Sequence, residues 1–404
     1  MSSSSDDTFA EMLDDAFDNA FDNAFDQAYE NFFVHHGDHQ EATQSKKTRR
    51  YIERQREQGH IRLWSDYFSD DAIYPPELFR RRFRMNKSLF MRIVDRLSTE
   101  FPFFQQRRDA TGRFGLSALQ KATAAIRMMA YGCAADAVDE YLRLGESTAI
   151  KCLENFVEGI IYLFGDEYLR RPTAEDLQRL LDIGEIRGFP GMIGSIDCMH
   201  WEWKNCPTAW KGHLNDINVL DRSPVFDDIL KGHAPKVNYI VNGHEYHLAY
   251  YLTDGIYPKW ATFIPSISMP QSPKASLFAT RQEAVHKDFE RAFGVFQARF
   301  AIVKNPALIW DKVKIGKIMR ACIILHNMIV ENERDGYTQF NVSEWAQVES
   351  NRTSQVDSTY STYMPSNLTN LMGIRNRVRD RTKHQQLKDD LVEHIWQKFS
   401  TPED

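Results

Sequence analysis

The feature that most constrains the fold is the strand-like patterning between residues 190 and 330. A short apolar run ends in Asp197, and a second run extends from Glu245 to Leu252. Asn242-Gly243 lies just before the second run and is a strong hairpin-turn signal. It predicts that Val237 to Val241 pairs with the second run as a hairpin. Strands of this kind among helical segments predict an α/β domain.

Other segments add to this pattern. Residues 198–204 alternate between apolar and polar side chains, which predicts a further strand. Residues 281–300 carry bulky apolar side chains every three or four positions, and residues 315–332 are also apolar with helical spacing, so both predict helices. Residues 333–370 are rich in Ser, Thr, Asn and Gln, which indicates a linker. Residues 371–399 then predict a polar helix.

A pair of helices precedes the strand-rich region. Residues 116–131 have helical spacing, and Gly132 can end that helix. A short helix at 134–142 is followed by a turn, with Ser147 as the predicted N-cap of a long helix. Two helices joined by a short glycine-containing turn are typical of a helix-turn-helix, in which Lys151 would enter the major groove. Lys151 is the only basic residue on that helix through residue 164, which favours a packing role instead.

Three acids are candidates for chemistry. Asp197 and Asp254 each follow an apolar strand, and Glu290 lies on the predicted helix at 281–300. Acids at the ends of neighbouring buried strands face the crevice where open α/β sheets place their sites. Carboxylates that converge there repel each other, and hard oxygen ligands favour Mg²⁺ or Mn²⁺. The alternative is three unrelated acids, since the chain has 56.

Charge is distributed unevenly along the chain. Residues 1–45 contain eleven acids and no Lys or Arg, whereas residues 46–108 contain sixteen basic residues and eight acids. A polyanion would respond to the local basic segment more than to the distant acidic one, because salt screens charges over about 8 Å. The candidate phosphate contacts of this segment are Arg80, Arg81, Arg82 and Arg84, which alternate with Phe79 and Phe83. The same pattern also suits an ordinary helix surface.

The composition argues against several classes of protein. No stretch of about 18 apolar residues occurs, so we expect no membrane span. The first residues have neither a basic start nor an apolar segment, so we expect no signal peptide. The five cysteines are scattered and form no CxxC pair, which favours reduced thiols in the cytosol or nucleus.

Three blocks of sequence together resemble one known family. They are residues 191–212 (GMIGSIDCMHWEWKNCPTAWKG), 251–269 (YLTDGIYPKWATFIPSISM) and 281–304 (RQEAVHKDFERAFGVFQARFAIVK). They resemble the plant transposon protein family, which belongs to the PIF/Harbinger superfamily of DDE transposases. The resemblance extends from about residue 60 to 333. It implies an RNase H-like fold, with a central mixed sheet and flanking helices, in which an acidic triad binds two Mg²⁺ or Mn²⁺ ions.

The resemblance also assigns the triad by position. Asp197 matches the first Asp, Asp254 the second Asp, and Glu290 the Glu of the family's third block. Thirty-five residues separate Asp254 from Glu290, as a DD35E arrangement requires. The usual organisation of the superfamily further implies DNA as a partner, a separate Myb-like DNA-binding protein and residence in the nucleus. It implies nothing about oligomeric state.

The chain departs from the family pattern at one place. In similar proteins, further sequence that corresponds to two sheet strands separates the Trp-Lys-Gly block from the Asn-Asp-Ile-Asn block. Here Lys211-Gly212 runs through His213-Leu214 directly into Asn215-Asp216. We therefore expect an internal deletion near 212–214 and an incomplete catalytic sheet, since lost strands remove hydrogen-bond partners and core from the sheet that holds Asp197.

These observations predict a domain order and two alternative functions. The predicted domains are an acidic disordered tail (1–45), a basic helical segment (46–110), a helix-turn-helix-like module (111–180), a DDE domain (181–333), a linker (334–370) and a C-terminal helix (371–404). The first function is a Harbinger-type transposase or nuclease that cleaves DNA phosphodiesters. The alternative is a non-catalytic remnant that acts through DNA or protein contacts.

Overall fold

The structure, a computed structural model, describes residues 53–108, 112–208, 211, 236–337, 354–356 and 380–400. From Arg54 onward the described residues belong to one compact unit. In this part of the chain, seven helices precede the first strand: α1 (Arg56–Tyr67), α2 (Pro76–Phe83), α3 (Lys87–Glu100), α4 (Ala118–Tyr131), α5 (Asp136–Leu142), α6 (Glu146–Tyr168) and α7 (Ala174–Ile186). The predicted acidic tail, the first residues of the basic segment and the 212–214 junction lie outside the described residues.

Helix α4 lies at the centre of the helical region. Its small and apolar side chains, among them Ala122, Ala125 and Ile126, are fully buried, and it contacts α2, α3, α5 and α6. The Ser117 hydroxyl caps its start by accepting a hydrogen bond from the backbone N–H of Gln120. Gly132 ends it with a left-handed φ of 58°, as the sequence predicts.

Helices α5 and α6 are joined by three residues, but the predicted N-cap is wrong. The N-cap of α6 is Gly145, and Ser147 lies inside the first turn of the helix. The backbone N–H groups of Thr148 and Ala149 already donate to the Gly145 carbonyl, at 2.8 and 2.9 Å. Leu144 is buried immediately before this turn, which fixes where the chain enters the helix. Helix α6 continues to Tyr168, beyond the predicted end at 164.

Two small sheets follow. Strands β1 (Met192–Ser195), β4 (Tyr250–Thr253) and β5 (Phe263–Pro265) form a parallel sheet in the order β1-β4-β5. Strands β2 (Lys236–Val241) and β3 (His244–Leu248) form the predicted hairpin, and β6 (Gln355–Val356), within the predicted linker, pairs with β2. Asn242 and Gly243 have φ values of 50° and 82°, as a two-residue hairpin turn with two left-handed residues requires.

Two strand predictions are wrong. The predicted second hairpin strand divides at Ala249, where the chain leaves β3 of the hairpin and enters β4 of the parallel sheet. Residues 198–204 form no strand beyond a single bridge between Trp203 and Ala307. The alternation there has another cause, because Trp201 and Trp203 direct their indole N–H groups to the backbone carbonyls of Asn305 and Ile309.

Three later helices connect the sheets to the helical region. They are α8 (Pro273–Arg299), α9 (Lys312–Tyr337) and α10 (Arg381–Phe399). Helix α8 begins eight residues before its prediction, because Ser272 caps it and Pro273 occupies its first turn. Its Phe278 packs in the sheet core, whereas its Phe296 packs in the helical core with α9.

Helix α10 covers the sheets from the other end of the sequence. Its Leu387, Leu391 and Ile395 are buried against α8 and the strands, as their spacing predicts. Asp380 caps its start by accepting from the backbone N–H groups of Thr382 and Lys383. The predicted α/β class with a mixed set of strands is therefore confirmed for the described residues. None of the helices described is long and apolar enough to cross a membrane.

Candidate metal centre

Asp197 and Asp254 meet at one edge of the parallel sheet. Ser195 of β1 is paired with Leu252 of β4, and the Ile196 backbone N–H donates to the Leu252 carbonyl at 2.9 Å. Asp197 lies two residues beyond β1, and Asp254 directly follows β4. Because the two strands are parallel neighbours, both acids leave the sheet at the same edge, as the sequence predicts.

Helix α8 brings a third possible metal-binding side chain, that of a histidine, to this edge. One ligand atom from each of Asp197, Asp254 and His286 lies within 4.8 Å of the others. His286 Nε2 is 3.4 Å from Asp254 Oδ1, and its side chain is 15% exposed. Val285, the residue before His286, is buried in the sheet core and holds this turn of the helix against the strands.

Glu290 lies one helical turn beyond His286. Its Oε1 is 4.0 Å from His286 Nε2, and its side chain is 59% exposed, compared with 51% for Asp254. The structure thus brings Asp197 and Asp254 together directly. It places Glu290 at the border of this group, on its solvent side.

Backbone and hydroxyl groups orient two of the ligands. The Cys198 backbone N–H donates to Asp197 Oδ1 at 2.7 Å, which leaves the other carboxylate oxygen of Asp197 available. Ser195 Oγ lies 3.0 Å from both the Leu252 carbonyl and His286 Nδ1. Asp197 is therefore held by the segment that follows β1, and His286 of α8 is held by Ser195 of β1.

This set of donors fits a divalent cation. Carboxylate oxygens that face each other repel, and a cation among them removes the repulsion. Carboxylates suit Mg²⁺ and Mn²⁺, while an imidazole nitrogen favours transition metals. The acids were recognised in the sequence, but His286 was missed. Its one signal was the i,i+4 spacing from Glu290, which places both side chains on the same face of a helix.

The predicted phosphate-binding residues fall into two groups. Arg80 forms two hydrogen bonds of 2.8 Å to the buried Glu333 of α9. The Arg82 guanidinium lies 4.3 Å above the Tyr74 ring, and that of Arg84 lies 5.4 Å from the Tyr131 ring. All three arginines are thus engaged with protein groups, although the Arg80 side chain is 47% exposed.

Arg81 and Lys151 are also exposed. Since Arg80 is bonded to Glu333, these two are the exposed candidates for a phosphate contact. Any phosphate contact by the predicted residues would therefore be made mainly by Arg81 and Lys151.

Comparison with known proteins adds the family. Residues 166–214 and 212–337 match the family model described as plant transposon protein, and residues 59–98 match a domain of unknown function. Proteins named "Putative nuclease HARBI1" from Rattus norvegicus and Homo sapiens are each 22% identical over 227 residues, covering 48% of this chain and 61% of theirs. The Arabidopsis thaliana "Protein ALP1-like" is 21% identical over 315 residues, covering 67% of this chain and 75% of its own. No solved structure matches.

These matches and the α/β arrangement are consistent with a transposase-like domain. The resemblance to the plant transposon protein family is confirmed, and the chain is homologous to the HARBI1 and ALP1-like proteins, which are Harbinger-derived relatives of transposases. The chain spans about 61% of the length of the HARBI1 proteins. The family match is split into two segments that meet at residues 212–214, where the sequence analysis expects a deletion.

Proposed function

We propose that this chain carries the nuclease centre of a Harbinger-type transposase, which cleaves DNA phosphodiester bonds with Mg²⁺ or Mn²⁺. The observation that carries the proposal is the meeting of Asp197 and Asp254 at one edge of a parallel sheet, beside the helix that bears Glu290. The order β1-β4-β5 with α8 across its edge supports an RNase H-like fold. The family match supports the choice of DNA as substrate.

Residues from the sheet and from a helix would together hold the ions. Asp197 and Asp254 would bind from the sheet, and Glu290 from the helix. The Cys198 N–H fixes one oxygen of Asp197, so that its other oxygen would bind the ion. When bound, the two ions would supply charge stabilisation to the attacking and leaving oxygens of an in-line displacement. The attacking oxygen would come from water or from a DNA 3′-hydroxyl.

We further propose that cleavage is weak because two strands of the sheet are missing. Within the described residues, β1 pairs only with β4, so its other edge has no partner strand there. The break in the family match at 212–214 supports the loss. A ligand on a strand that lacks a neighbour is held less firmly, and catalytic geometry tolerates little displacement. The same observation favours a second candidate function, a remnant that binds DNA or protein without cutting.

A cleavage assay tests the proposal. The full chain is incubated with supercoiled plasmid and Mg²⁺ or Mn²⁺, beside the Asp254→Asn variant and the Glu283→Gln control. Glu283 is also on α8, but it is 63% exposed and pairs with Lys287. We expect slow nicking that Asp254→Asn abolishes and Glu283→Gln retains. Nicking that survives Asp254→Asn would reject this centre, and no nicking beside retained DNA binding would support the remnant.

DNA binding, a nuclear location and a Myb-like partner complete the proposal. Arg81 and Lys151 are the exposed candidates for phosphate contact. Each phosphate contact contributes about −0.9 to the slope of log K against log salt. We expect Arg81→Ala combined with Lys151→Ala to reduce that slope by about 2. Lys317→Ala, which removes a residue paired with Glu158, should leave it unchanged.

A further inference from the structure

The hydrogen bonds around Ser195 determine which nitrogen of His286 carries the proton. The Leu252 carbonyl can only accept, and Ser195 Oγ lies 3.0 Å from it, so the single hydroxyl proton of Ser195 points to this carbonyl. Ser195 Oγ must therefore accept from its other neighbour, His286 Nδ1, which is also 3.0 Å away. The proton of the neutral imidazole is on Nδ1, and Nε2 presents a lone pair.

That lone pair faces groups that cannot donate to it when ionised. Nε2 is 3.4 Å from Asp254 Oδ1 and 4.0 Å from Glu290 Oε1, and both distances exceed the usual range for a hydrogen bond. The positive charge that offsets these three electron-rich atoms is either a proton on Nε2 or a cation between them, and the two distances favour the cation because neither is that of a hydrogen bond. Two ligand atoms bonded to one ion at about 2.1 Å lie roughly 3.0–3.4 Å apart, which matches the spacing between Nε2 and Asp254.

We propose that His286 Nε2 is a metal ligand in this chain, beside Asp197 and Asp254, and that Ser195 is the positioning residue that fixes its tautomer. The inference rests on the proposed metal centre. It adds a nitrogen donor to a set of carboxylates, so the site takes a transition-metal ion such as Mn²⁺ in preference to Mg²⁺. The chain Nδ1–H to Ser195 to the Leu252 carbonyl is the kind of outer contact that orients metal-binding histidines.

Pulsed EPR of Mn²⁺ bound to the full-length protein tests the assignment without an activity measurement. We expect an imidazole nitrogen coupling in the wild type, and we expect selective ¹⁵N-histidine labelling to change it. His286→Gln should remove the coupling and weaken Mn²⁺ binding about tenfold or more, with a smaller effect on Mg²⁺. His200→Gln is the matched control, because His200 lies three residues after Asp197 but outside the ligand group. It should retain the coupling.

The outcomes separate this inference from the proposed function. If Mn²⁺ binds, Asp254→Asn removes it and no histidine nitrogen couples, then the carboxylate centre stands and the role of His286 is rejected. A coupling that persists in His286→Gln also rejects it. If the wild type binds no Mn²⁺ at millimolar concentration, both proposals fail. The labelling result in the wild type decides the matter even if His286→Gln does not fold.

Ser195 gives a second, independent reading. Ser195→Ala removes the acceptor of the Nδ1 proton but leaves every metal ligand in place. We expect the nitrogen coupling to remain and the Mn²⁺ dissociation constant to rise about tenfold. An unchanged dissociation constant would show that Ser195 does not position His286.

Discussion

The helical region is built around fully buried aromatic side chains, whereas the candidate metal centre of the sheet region is partly exposed. In the helices, Phe83, Phe90 and Phe156 are fully buried within one large core. In the sheet region, the core is smaller, and the acids at its edge, Asp254 and Glu290, are more than half exposed. The candidate metal ligands therefore lie at the exposed end of the smaller core, in the sheet for which we propose a loss of strands.

The stability of the fold and the integrity of the candidate metal centre therefore depend on different parts of the molecule. The proposed loss of strands would weaken support for the candidate metal centre but leave the helical core intact, since that core is formed by α1–α6, the C-terminal end of α8 and the middle of α9. The chain would therefore stay folded with a reduced sheet. Each of the following predictions tests that separation.

The largest effect is expected in the aromatic cluster of the helical core. Phe83 is fully buried, stacks on Phe79 with ring centroids 4.1 Å apart, and contacts the edge of Phe90 at 4.9 Å. Phe83→Ala should lower the free energy of unfolding by about 3–5 kcal/mol, because it leaves a cavity. Denaturant unfolding measures the loss, and Phe114→Ala, at a ring 42% exposed, is the control. Equal losses of unfolding free energy in the two variants would contradict the stabilising role of the buried aromatic cluster.

The next effect concerns Arg80, which the sequence marked as a phosphate contact. Its two hydrogen bonds go to Glu333, whose side chain is only 5% exposed. Arg80→Ala should lower stability by about 2 kcal/mol, because a buried carboxylate loses its partner while Arg299 remains 3.7 Å away. Arg81→Ala, at the exposed neighbouring position, should change stability by less than about 0.5 kcal/mol. If Arg80→Ala and Arg81→Ala lose the same stability and differ only in DNA affinity, then the pairing of Arg80 with Glu333 does not stabilise the fold.

The helical core also predicts a dependence on pH. Burial, together with the nearby Arg299, lowers the pKa of His326 to about 4, and Arg299 Nη1 lies 3.2 Å from its Nδ1. In the unfolded chain this pKa is about 6.5, so the unfolded state binds the proton first as pH falls. Stability should therefore decrease from pH 6.5 to 4 and then level off, with a slope below about 1.4 kcal/mol per pH unit because the ring is partly solvated.

The control for this prediction is His326→Gln, which cannot titrate in that range. Its stability curve should be flatter between pH 4 and 6.5 than that of the wild type, measured by denaturant unfolding at each pH. Burial also lowers the pKa of His384 and His394 in the sheet region, so a residual slope of the same sign should remain. Identical slopes of stability against pH in the variant and the wild type would show that His326 does not cause the pH dependence.

Local signals predicted much of the fold, and contacts between distant segments account for the errors. Gly132 and the Asn242-Gly243 turn were predictable because each depends on its own backbone conformation. The division at Ala249 was not, because it depends on β1, more than fifty residues earlier. The alternation around Trp201 was misread as a strand because its partner, the backbone at Asn305, is distant in sequence.

The candidate site shows the same limit. Asp197 and Asp254 were found because a strand that ends in an acid is visible in a short window, and the family resemblance assigned Glu290. His286 was not predicted, because the role proposed for it depends on Ser195 and the Leu252 carbonyl, which belong to two strands distant from it in sequence. Only the folded sheet places these groups around one nitrogen.

The smallest prediction compares two tyrosines in the core of the sheet region. Tyr239 Oη donates to the Leu248 carbonyl at 3.0 Å, whereas Tyr250 Oη is buried without a hydrogen-bond partner among the described residues. Tyr239→Phe should therefore cost about 1 kcal/mol, and Tyr250→Phe should stabilise the protein by up to about 1 kcal/mol, because it removes an unsatisfied buried hydroxyl. Both changes delete one oxygen atom from a fully buried ring, so each is the control for the other in denaturant unfolding. If both substitutions lower the free energy of unfolding, then Tyr250 Oη has a hydrogen-bond partner outside the described residues.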